Sequence, residues 1–235
     1  MTDRSAPVTF ITGTRKGLGR ALVQHYVGLG HEVGGCSRDA VGWELDGYVH
    51  YRADVADEGA MHAALSDVWQ RFGRLDHLIN NAGIASMNHS LLTPVSTFER
   101  ILRTNVVGTF LASREAAKLM KRRSFGRIVN VSSVAVPLKV AGEGPYVAAK
   151  AAINSLTHVL ARELADFGIT VNTVGPTPVD TDLIRGIPGN KLDELIALQA
   201  IPRMGTPKDV ANAIDFFLRQ ESDFITGQTL YLGGA

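Results

Sequence analysis

Short β-rich runs alternate with longer helical patterns along the chain, and this alternation constrains the fold more than any other feature. The predicted strands are 8–12, 32–36, 49–52, 75–80, 127–131, 169–174 and 229–232. The predicted helices are 18–29, 58–72, 97–121, 146–167 and 208–219. Such alternation is typical of right-handed βαβ crossovers. We therefore predict an α/β fold with one doubly wound sheet of about seven parallel strands and helices on both faces.

Start and stop signals flank several of the helical patterns. Glycine follows four of them, at Gly30, Gly73, Gly126 and Gly168, where a left-handed residue often ends a helix. Pro94 and the pair Ser96 and Glu99 predict the start of the long middle helix. No linker or repeat interrupts the pattern, so residues 1–235 are predicted to form a single domain. A segment near 182–201, in a stretch rich in Pro and Gly, is predicted to be a substrate lid.

Composition excludes several classes of protein. The chain has 235 residues, a formal net charge of +1 and a single cysteine, Cys36. The near-neutral charge argues against a broad nucleic-acid-binding surface, and one cysteine cannot form an internal disulfide. No uncharged apolar run approaches the roughly 18 residues of a membrane span, and no signal-peptide pattern precedes the first strand. We therefore expect a cytoplasmic protein without nucleic-acid or membrane partners, and we predict no metal site.

A glycine-rich turn lies between the first predicted strand and the first predicted helix. Its sequence is Thr12-Gly13-Thr14-Arg15-Lys16-Gly17-Leu18-Gly19. Glycine lets such a turn fold tightly and approach a pyrophosphate, which then lies at the helix N-terminus. The Gly-x₃-Gly-x-Gly spacing differs from the commoner dinucleotide fingerprint, and a plain structural turn is the alternative. The position between strand and helix favours nucleotide binding on a Rossmann-type fold.

The end of the second predicted strand indicates which dinucleotide would bind. NAD-binding versions of this fold usually carry an acidic residue there, which accepts from the ribose 2′-hydroxyl. This chain has Ser37 and Arg38 instead, with Lys16 in the glycine turn. A hydroxyl and two cations suit a 2′-phosphate and predict NADP(H), although both cations could simply be solvated. Asp54 and Val55 are candidates to hold the adenine, or to form only a turn.

Tyr146 and Lys150 lie four residues apart at the start of an apolar helical pattern, and so on one helical face. A nearby ammonium favours ionisation of a phenol, so Lys150 is predicted to lower the pKa of Tyr146. Tyr146 is then a candidate acid/base, and Ser133 is a candidate hydrogen-bond partner of a substrate oxygen. The alternative is a chance pair, because this spacing occurs in many amphipathic helices.

These residues and further motifs, in order, resemble the short-chain dehydrogenase/reductase family over nearly the whole chain. The motifs are TGTRKGLG from Thr12, NNAG from Asn80, NVVGTF from Asn105, IVNVSS from Ile128, VNTVGP from Val171, and ITGQ from Ile225 with Gly233 and Gly234. The resemblance implies a catalytic set of Asn105, Ser133, Tyr146 and Lys150. It implies cofactor contacts from Gly13, Arg15, Lys16, Gly17, Leu18, Gly19, Ser37, Arg38, Asp54, Val55, Asn81, Ala82, Gly83, Tyr146, Lys150, Pro176, Thr177, Val179 and Thr181.

The resemblance further implies hydride transfer between NADPH and a substrate carbonyl, with Tyr146 as the proton donor. Lys150 would hold the nicotinamide ribose, and Asn105 would support a water that links Lys150 to solvent. Two positions depart from the family pattern. Thr177 replaces a common glycine, and Pro145 stiffens the approach to the helix that carries Tyr146.

Within the family, the chain most resembles the branch that reduces 3-oxoacyl groups on acyl carrier protein in fatty acid biosynthesis. The implied substrate residues are Ser133, Val134, Leu138, Val140, Tyr146 and Leu183. Other hydrophobic ketones, steroids or sugar alcohols are alternative substrates of the same site. A non-catalytic NADP-binding sensor or scaffold is the alternative from another class of protein.

Two expectations concern partners. An acidic carrier protein would meet Lys121, Arg122 and Arg123, although this run is also typical of a solvated helix end. Ser124 and Phe167 replace basic residues that some carrier-dependent relatives have nearby, which weakens that expectation. Family members usually form homotetramers by packing their two long helices against copies, so a homotetramer or homodimer is implied.

Overall fold

The computed structural model describes residues 6–180, 184 and 189–235. In this part of the chain seven parallel strands form one sheet. They are β1 (Val8–Thr12), β2 (Glu32–Ser37), β3 (Tyr48–Arg52), β4 (His77–Asn80), β5 (Gly126–Val131), β6 (Ile169–Gly175) and β7 (Thr229–Tyr231). Their order in the sheet is β3-β2-β1-β4-β5-β6-β7. The predicted α/β fold with a doubly wound parallel sheet is therefore confirmed.

Helices connect the strands and cover both faces of the sheet. They are α1 (Gly17–Gly28), α2 (Glu58–Phe72), α3 (Val95–Leu102), α4 (Gly108–Met120), α5 (Ala135–Leu138), α6 (Gly144–Leu164), α7 (Gly189–Ala197) and α8 (Pro207–Leu218). Helix α7 lies within the predicted lid segment 182–201, part of which falls outside the described residues. In the described ranges, no helix combines the length and apolarity that crossing a bilayer requires.

Two hydrophobic cores form because successive residues of a buried strand point to opposite faces. Phe10 of β1 packs into the core under α2, α4 and α6, and its neighbour Ile11 packs into the core under α1 and α8. Leu78 and Ile79 of β4 divide in the same way. Full burial of each such side chain contributes about 1.5–3 kcal/mol. The unbroken apolar runs of the central strands are thus explained by helices on both faces.

The strand order creates a crevice at the carboxyl ends of the central strands. β1 lies between β2 and β4. The first half of the fold continues from β1 to β2 and β3 on one side, and the second half continues from β4 to β7 on the other side. The connections on the two sides separate at this point, and ligands of open α/β sheets bind there, at the carboxyl ends of the strands. The segments that follow these strand ends are therefore brought together.

The predicted middle helix 97–121 differs from prediction at its start and in its interior. It begins at Val95 after Pro94, which makes no side-chain cap, so Ser96 and Glu99 do not form the predicted capping box. A π-helical segment, Arg103–Val107, separates α3 from α4. A π-helical turn adds one residue to a helix without ending it. The amphipathic pattern continues through this turn, which explains why periodicity alone predicted one uninterrupted helix.

The glycine stop signals are confirmed at three of four positions. Gly73 and Gly168 are left-handed C-caps, with φ of 69° at each, and Gly30 follows the end of α1 at φ 83°. Gly126 was predicted as a stop and instead begins β5. Ser124, at φ 50°, takes the left-handed position instead, because the 3₁₀ turn Lys121–Arg123 that follows α4 ends directly before it.

Candidate active site

A cavity of about 650 Å³ opens at the carboxyl ends of β1 to β6. Every described residue that the sequence predicts to hold the cofactor lines it. Thr181 was also predicted there, and it lies outside the described residues. The volume is within the usual range of about 300–1,000 Å³ for small-molecule sites. One continuous cavity thus joins the glycine turn to the Tyr146 helix.

The glycine turn between β1 and α1 is packed too tightly for side chains. Gly13 has φ 76°, and a Cβ there would lie 2.8 Å from the Cα of Ala82. A Cβ on Gly19 would lie 2.1 Å from the carbonyl oxygen of Gly13. Lys16, the N-cap of α1, makes no side-chain cap, and the first turn has no acidic residue. The helix therefore presents backbone N–H groups and a positive dipole end to the cavity, which suits a pyrophosphate.

Asn81 holds this turn in place from the end of β4. Its Nδ2 donates to the carbonyl oxygens of Thr12, at 2.9 Å, and Gly13, at 3.2 Å. In return the hydroxyl of Thr12 accepts from the backbone N–H groups of Asn81 and Ala82. The NNAG motif therefore fixes the shape of the turn, in addition to lining the cavity.

The cavity end beside β2 carries the predicted 2′-phosphate residues and one that the sequence analysis missed. Lys16, Ser37 and Arg38, the predicted set, line the cavity together with Arg15 and with Asp39, which was not predicted. The Arg15 Nη1 lies 3.3 Å from the Asp39 carboxylate, and the Ser37 hydroxyl donates to the Asp39 backbone carbonyl at 2.7 Å. Both partners of the ion pair are largely exposed, so it stabilises the fold little and can open for a ligand.

Asp54 and Val55, predicted to hold the adenine, line the cavity after β3, and the aspartate side chain makes a local hydrogen bond. Its Oδ1 accepts from the backbone N–H of Ala56 at 2.9 Å, which makes a turn after β3. Val55 packs against Gly108, where a Cβ would lie 2.6 Å from the valine Cγ2. The turn is therefore confirmed, and the role of both residues toward the adenine remains a prediction.

Helix α6 places Tyr146 and Lys150 on one face, both buried. The Lys150 Nζ donates to the carbonyl oxygen of Val131 at 2.7 Å and lies 5.6 Å from the centre of the Tyr146 ring. Ser133, after β5, lines the same part of the cavity, and its hydroxyl accepts from the backbone N–H of Ala135 at 3.1 Å. Three of the four side chains predicted as catalytic therefore line the same part of the cavity.

Burial dominates the acid–base properties of the pair. It raises the pKa of Tyr146 to about 12, and hydrogen bonding with Ser133 only partly opposes this. Burial also lowers the pKa of Lys150 to about 8. The predicted lowering of the Tyr146 pKa by Lys150 is therefore wrong for this geometry, because the ammonium is directed to Val131 and burial outweighs its charge. Tyr146 is held as the neutral phenol, the form that can donate a proton.

Asn105, in the π-helical segment, is fully buried and does not line the cavity. Its Oδ1 accepts from the backbone N–H of Ile84 at 2.9 Å, and its Nδ2 donates to the Ile84 carbonyl at 3.0 Å. A methyl group on Gly83 would lie 3.4 Å from Asn105 Oδ1 and 3.5 Å from Lys150 Nζ. The side chain thus fixes the loop after β4 beside Lys150, and its predicted support of a water remains a prediction.

The predicted substrate residues divide into two groups. Ser133, Val134 and Tyr146 line the cavity, whereas Leu138 and Val140 do not. Those two lie on and just after the short helix α5, which was not predicted, and their role toward the substrate remains a prediction. Leu183, also predicted, lies outside the described residues.

Thr177 and Glu143 line the cavity and have features that were not predicted from the sequence. Thr177 donates its hydroxyl to the Oε1 of Gln199, which ties the loop after β6 to the segment after α7. Glu143, three residues before Tyr146, lines the cavity and is buried. The i, i+3 spacing to Tyr146 was the sequence signal for Glu143.

The shifted pKa of Lys150 predicts a pH-dependent stability that the Lys150→Met variant lacks. Between pH 8 and 10.5 the unfolded lysine binds a proton that the folded one does not, so wild-type stability rises with pH in this window. We expect the wild type to gain, relative to Lys150→Met, on the order of 2 kcal/mol in unfolding free energy across that range. Urea denaturation of both proteins at pH 7.5 and 10 measures it. A constant difference would contradict the buried, weakly basic amine.

Comparison with known proteins identifies the family. The family model described as enoyl-(acyl carrier protein) reductase matches residues 13–234. The chain is 30% identical over 233 residues to 3-oxoacyl-[acyl-carrier-protein] reductase FabG of Salmonella typhimurium, covering 97% of this chain and 96% of that protein. The chain therefore belongs to the short-chain dehydrogenase/reductase family. Its motifs predicted this family, and with it the class of oxidoreductase.

Two solved structures are similar over nearly their full length. ElxO with NADP bound has a TM-score of 0.88 at 30% identity, with 97% of each chain covered. The 3-ketoacyl-(acyl-carrier-protein) reductase of Brucella melitensis complexed with NADH has a TM-score of 0.90 at 29% identity, again with 97% of each chain covered. These relatives bind nicotinamide dinucleotides, and the first carries the phosphorylated form.

Proposed function

We propose that this protein reduces a carbonyl to a secondary alcohol with NADPH, and that a 3-oxoacyl thioester is the substrate class. The observation that carries the proposal is the meeting of Ser133, Tyr146 and Lys150 in one cavity with the glycine turn. A proton donor, an oxygen-binding hydroxyl and a dinucleotide site are together what carbonyl reduction requires. FabG, a relative named for 3-oxoacyl reduction, supports the substrate class.

The residues present fit the cofactor. The bare glycine turn at the start of α1 accommodates a pyrophosphate, and Arg15, Ser37 and Arg38 offer donors and positive charge for a 2′-phosphate. No carboxylate stands at Ser37 to accept from the 2′-hydroxyl of NADH. When bound, NADPH supplies the hydride. Lys150, Asn81 and the loop Pro176 to Val179 line the remaining length of the site.

The side chains have complementary roles in this proposal. Tyr146 donates its phenolic proton to the developing alkoxide, since burial keeps the phenol protonated. Ser133 orients the same oxygen by a hydrogen bond. Lys150, whose pKa is about 8, can replace the proton on the tyrosine oxygen near neutral pH.

The residue at Ser37 is expected to set the choice of dinucleotide. Ser37→Asp places a carboxylate where the 2′-phosphate would lie, and like charges repel. We expect the Kd for NADPH to rise about 10- to 100-fold and the Kd for NADH to fall or stay constant, since 1.4 kcal/mol is tenfold in affinity. Titration of cofactor fluorescence measures both constants. Ser96→Asp, an exposed position away from the cavity, adds the same charge as a control; equal effects of the two variants would contradict this role for Ser37.

The substrate class is tested by following NADPH oxidation with a panel of carbonyl compounds. The panel contains acetoacetyl-CoA, a long 3-oxoacyl carrier protein, a steroid ketone and a ketose. We expect the highest kcat/KM with the 3-oxoacyl thioesters. Faster turnover of the steroid or ketose would contradict the 3-oxoacyl substrate class but would still support NADPH-dependent carbonyl reduction. Tight NADPH binding without turnover of any compound would favour a sensor or scaffold instead.

An acidic carrier protein and further copies of this chain are the proposed macromolecular partners. Lys121 and Arg122 are exposed at the end of α4, above the rings of Phe167 and Trp69, which leaves their positive charge available to an acidic surface. Exposed apolar side chains also lie along the two long helices, at Phe98, Val107, Phe110, Val159 and Phe167. Their burial between copies would support a homotetramer or homodimer. Light scattering in solution tests the assembly, and a monomer would contradict it.

A further inference from the structure

Glu143 is the one acidic side chain lining the Tyr146 end of the cavity in the described part of the chain. Only 5% of the residue is exposed, and what is exposed borders the cavity. It is the N-cap of α6, yet its carboxylate does not cap the helix. It lies three positions before Tyr146, and both residues line the same cavity.

The carboxylate has no partner within the described residues. No hydrogen bond or ion pair to its oxygens is found there, and burial alone raises the pKa of Glu143. Lys150, the cation of α6 that lines the cavity, donates to Val131 instead, and burial alone shifts its pKa. Buried carboxylates are normally hydrogen-bonded, because leaving one unpaired costs free energy. The unused acceptor therefore points to a group that the bound ligand brings.

The negative charge of Glu143 also acts on Tyr146, because it contributes to raising the pKa of the tyrosine. A ligand group bonded to Glu143 must therefore lie close to the carbonyl that Tyr146 protonates. The cationic residues Arg15, Lys16 and Arg38 line the other end of the cavity, beside β2. At the Tyr146 end of the cavity, Glu143 is therefore a negatively charged hydrogen-bond acceptor, and a ligand bound there should carry a hydrogen-bond donor.

We infer that Glu143 determines substrate specificity by accepting a hydrogen bond from an N–H or O–H group that the substrate carries near its reacting carbonyl. This inference rests on the proposed function. It adds the requirement that the substrate carries a hydrogen-bond donor, which a purely apolar pocket would not impose. In a 3-oxoacyl thioester, the amide N–H of a pantetheine arm supplies the donor. In a hydroxyketone, a hydroxyl group supplies it.

Matched substrate pairs test the inference and distinguish the two sources. The first pair is acetoacetyl-N-acetylcysteamine and the analogue in which an ester oxygen replaces the amide N–H. The second pair is 4-hydroxybutan-2-one and 4-methoxybutan-2-one. We expect the wild type to prefer the donor-bearing member of at least one pair by about 10- to 100-fold in kcat/KM, the range of a hydrogen bond to a charged group. The pair that shows the preference identifies the source.

Variants of Glu143 connect the preference to this side chain. Glu143→Leu removes the acceptor at similar volume, and we expect the preference to fall below about threefold. Glu143→Gln keeps a neutral acceptor oxygen, and we expect an intermediate preference, which would not follow from a purely structural effect. Glu163→Leu, on an exposed position of α6, is the matched control and should leave the preference at the wild-type value.

A binding measurement separates failure of this inference from failure of the proposed function. Calorimetry of both pairs with the Tyr146→Phe protein saturated with NADPH reports recognition without turnover. Tighter binding of the donor-bearing member, lost in Tyr146→Phe with Glu143→Leu, supports the inference even if no ketone is reduced. Equal binding and equal kcat/KM within both pairs, or a preference unchanged by Glu143→Leu, would overturn it.

Discussion

Replacing Tyr146 by phenylalanine is expected to lower kcat for carbonyl reduction by about 10²- to 10⁴-fold, the usual contribution of a positioned general acid. The variant loses only the hydroxyl, and the ring keeps its buried place on α6. The Kd for NADPH should change less than about threefold, since the glycine turn and the β2 end of the cavity are untouched. Stopped-flow oxidation of NADPH and a fluorescence titration measure the two quantities.

Phe224→Leu provides a control for substitution of an aromatic side chain. Phe224 lies after α8, is almost fully exposed and does not line the cavity, so the kcat of this variant should match that of the wild type. Near-normal turnover of Tyr146→Phe would show that the Tyr146 hydroxyl is not the proton donor. A parallel loss of NADPH binding would instead assign it to the cofactor site alone.

Replacing Gly19 by alanine is expected to abolish measurable dinucleotide binding, with a rise in Kd of at least about 100-fold. The added methyl group would lie 2.1 Å from the carbonyl oxygen of Gly13 and 2.6 Å from the Nδ2 of Asn81. Backbone atoms cannot yield without opening the turn, and the hydrogen bonds from Asn81 to Thr12 and Gly13 would then be lost. Calorimetric titration with NADPH and a thermal melt report binding and fold separately.

Gly28→Ala is the matched control at the other end of the same helix. No atom outside its immediate neighbours lies within 4 Å of a Cβ at Gly28. Alanine there should stabilise α1 by about 0.5–1 kcal/mol and leave the Kd unchanged. If Gly19→Ala bound NADPH as well as Gly28→Ala does, the close packing of the turn would not be needed for the cofactor.

Much of the fold could be predicted from local pattern because parallel strands and their covering helices have distinct periods. Strand β1 is confirmed with the predicted bounds, and so is helix α2, where Gly73 marks the end. The glycine turn could also be placed, since its function depends on sequence-local geometry. These features are set by residues that are neighbours in the chain.

The parts that could not be predicted depend on residues far apart in the chain or on small local changes in the helix. The π-helical segment at Arg103–Val107 keeps the apolar periodicity nearly intact, so no pattern marked it. The Tyr146 pKa is raised mainly by burial in the folded protein, which spacing on one helix cannot show. The short helix α5, on and just after which Leu138 and Val140 lie, was also not predicted, because four residues are too few to show a helical period.

The central claim is that this cavity transfers a hydride to a substrate carbonyl, and an isotope measurement tests it most directly. The protein is incubated with NADPH deuterated at the nicotinamide C4 position and a 3-oxoacyl thioester, with Tyr146→Phe in parallel, and the product is analysed by mass spectrometry. The account predicts a 3-hydroxyacyl product with deuterium on the carbinol carbon, formed by the wild type far faster than by Tyr146→Phe. Bound NADPH with no deuterated alcohol from any carbonyl tested would contradict it.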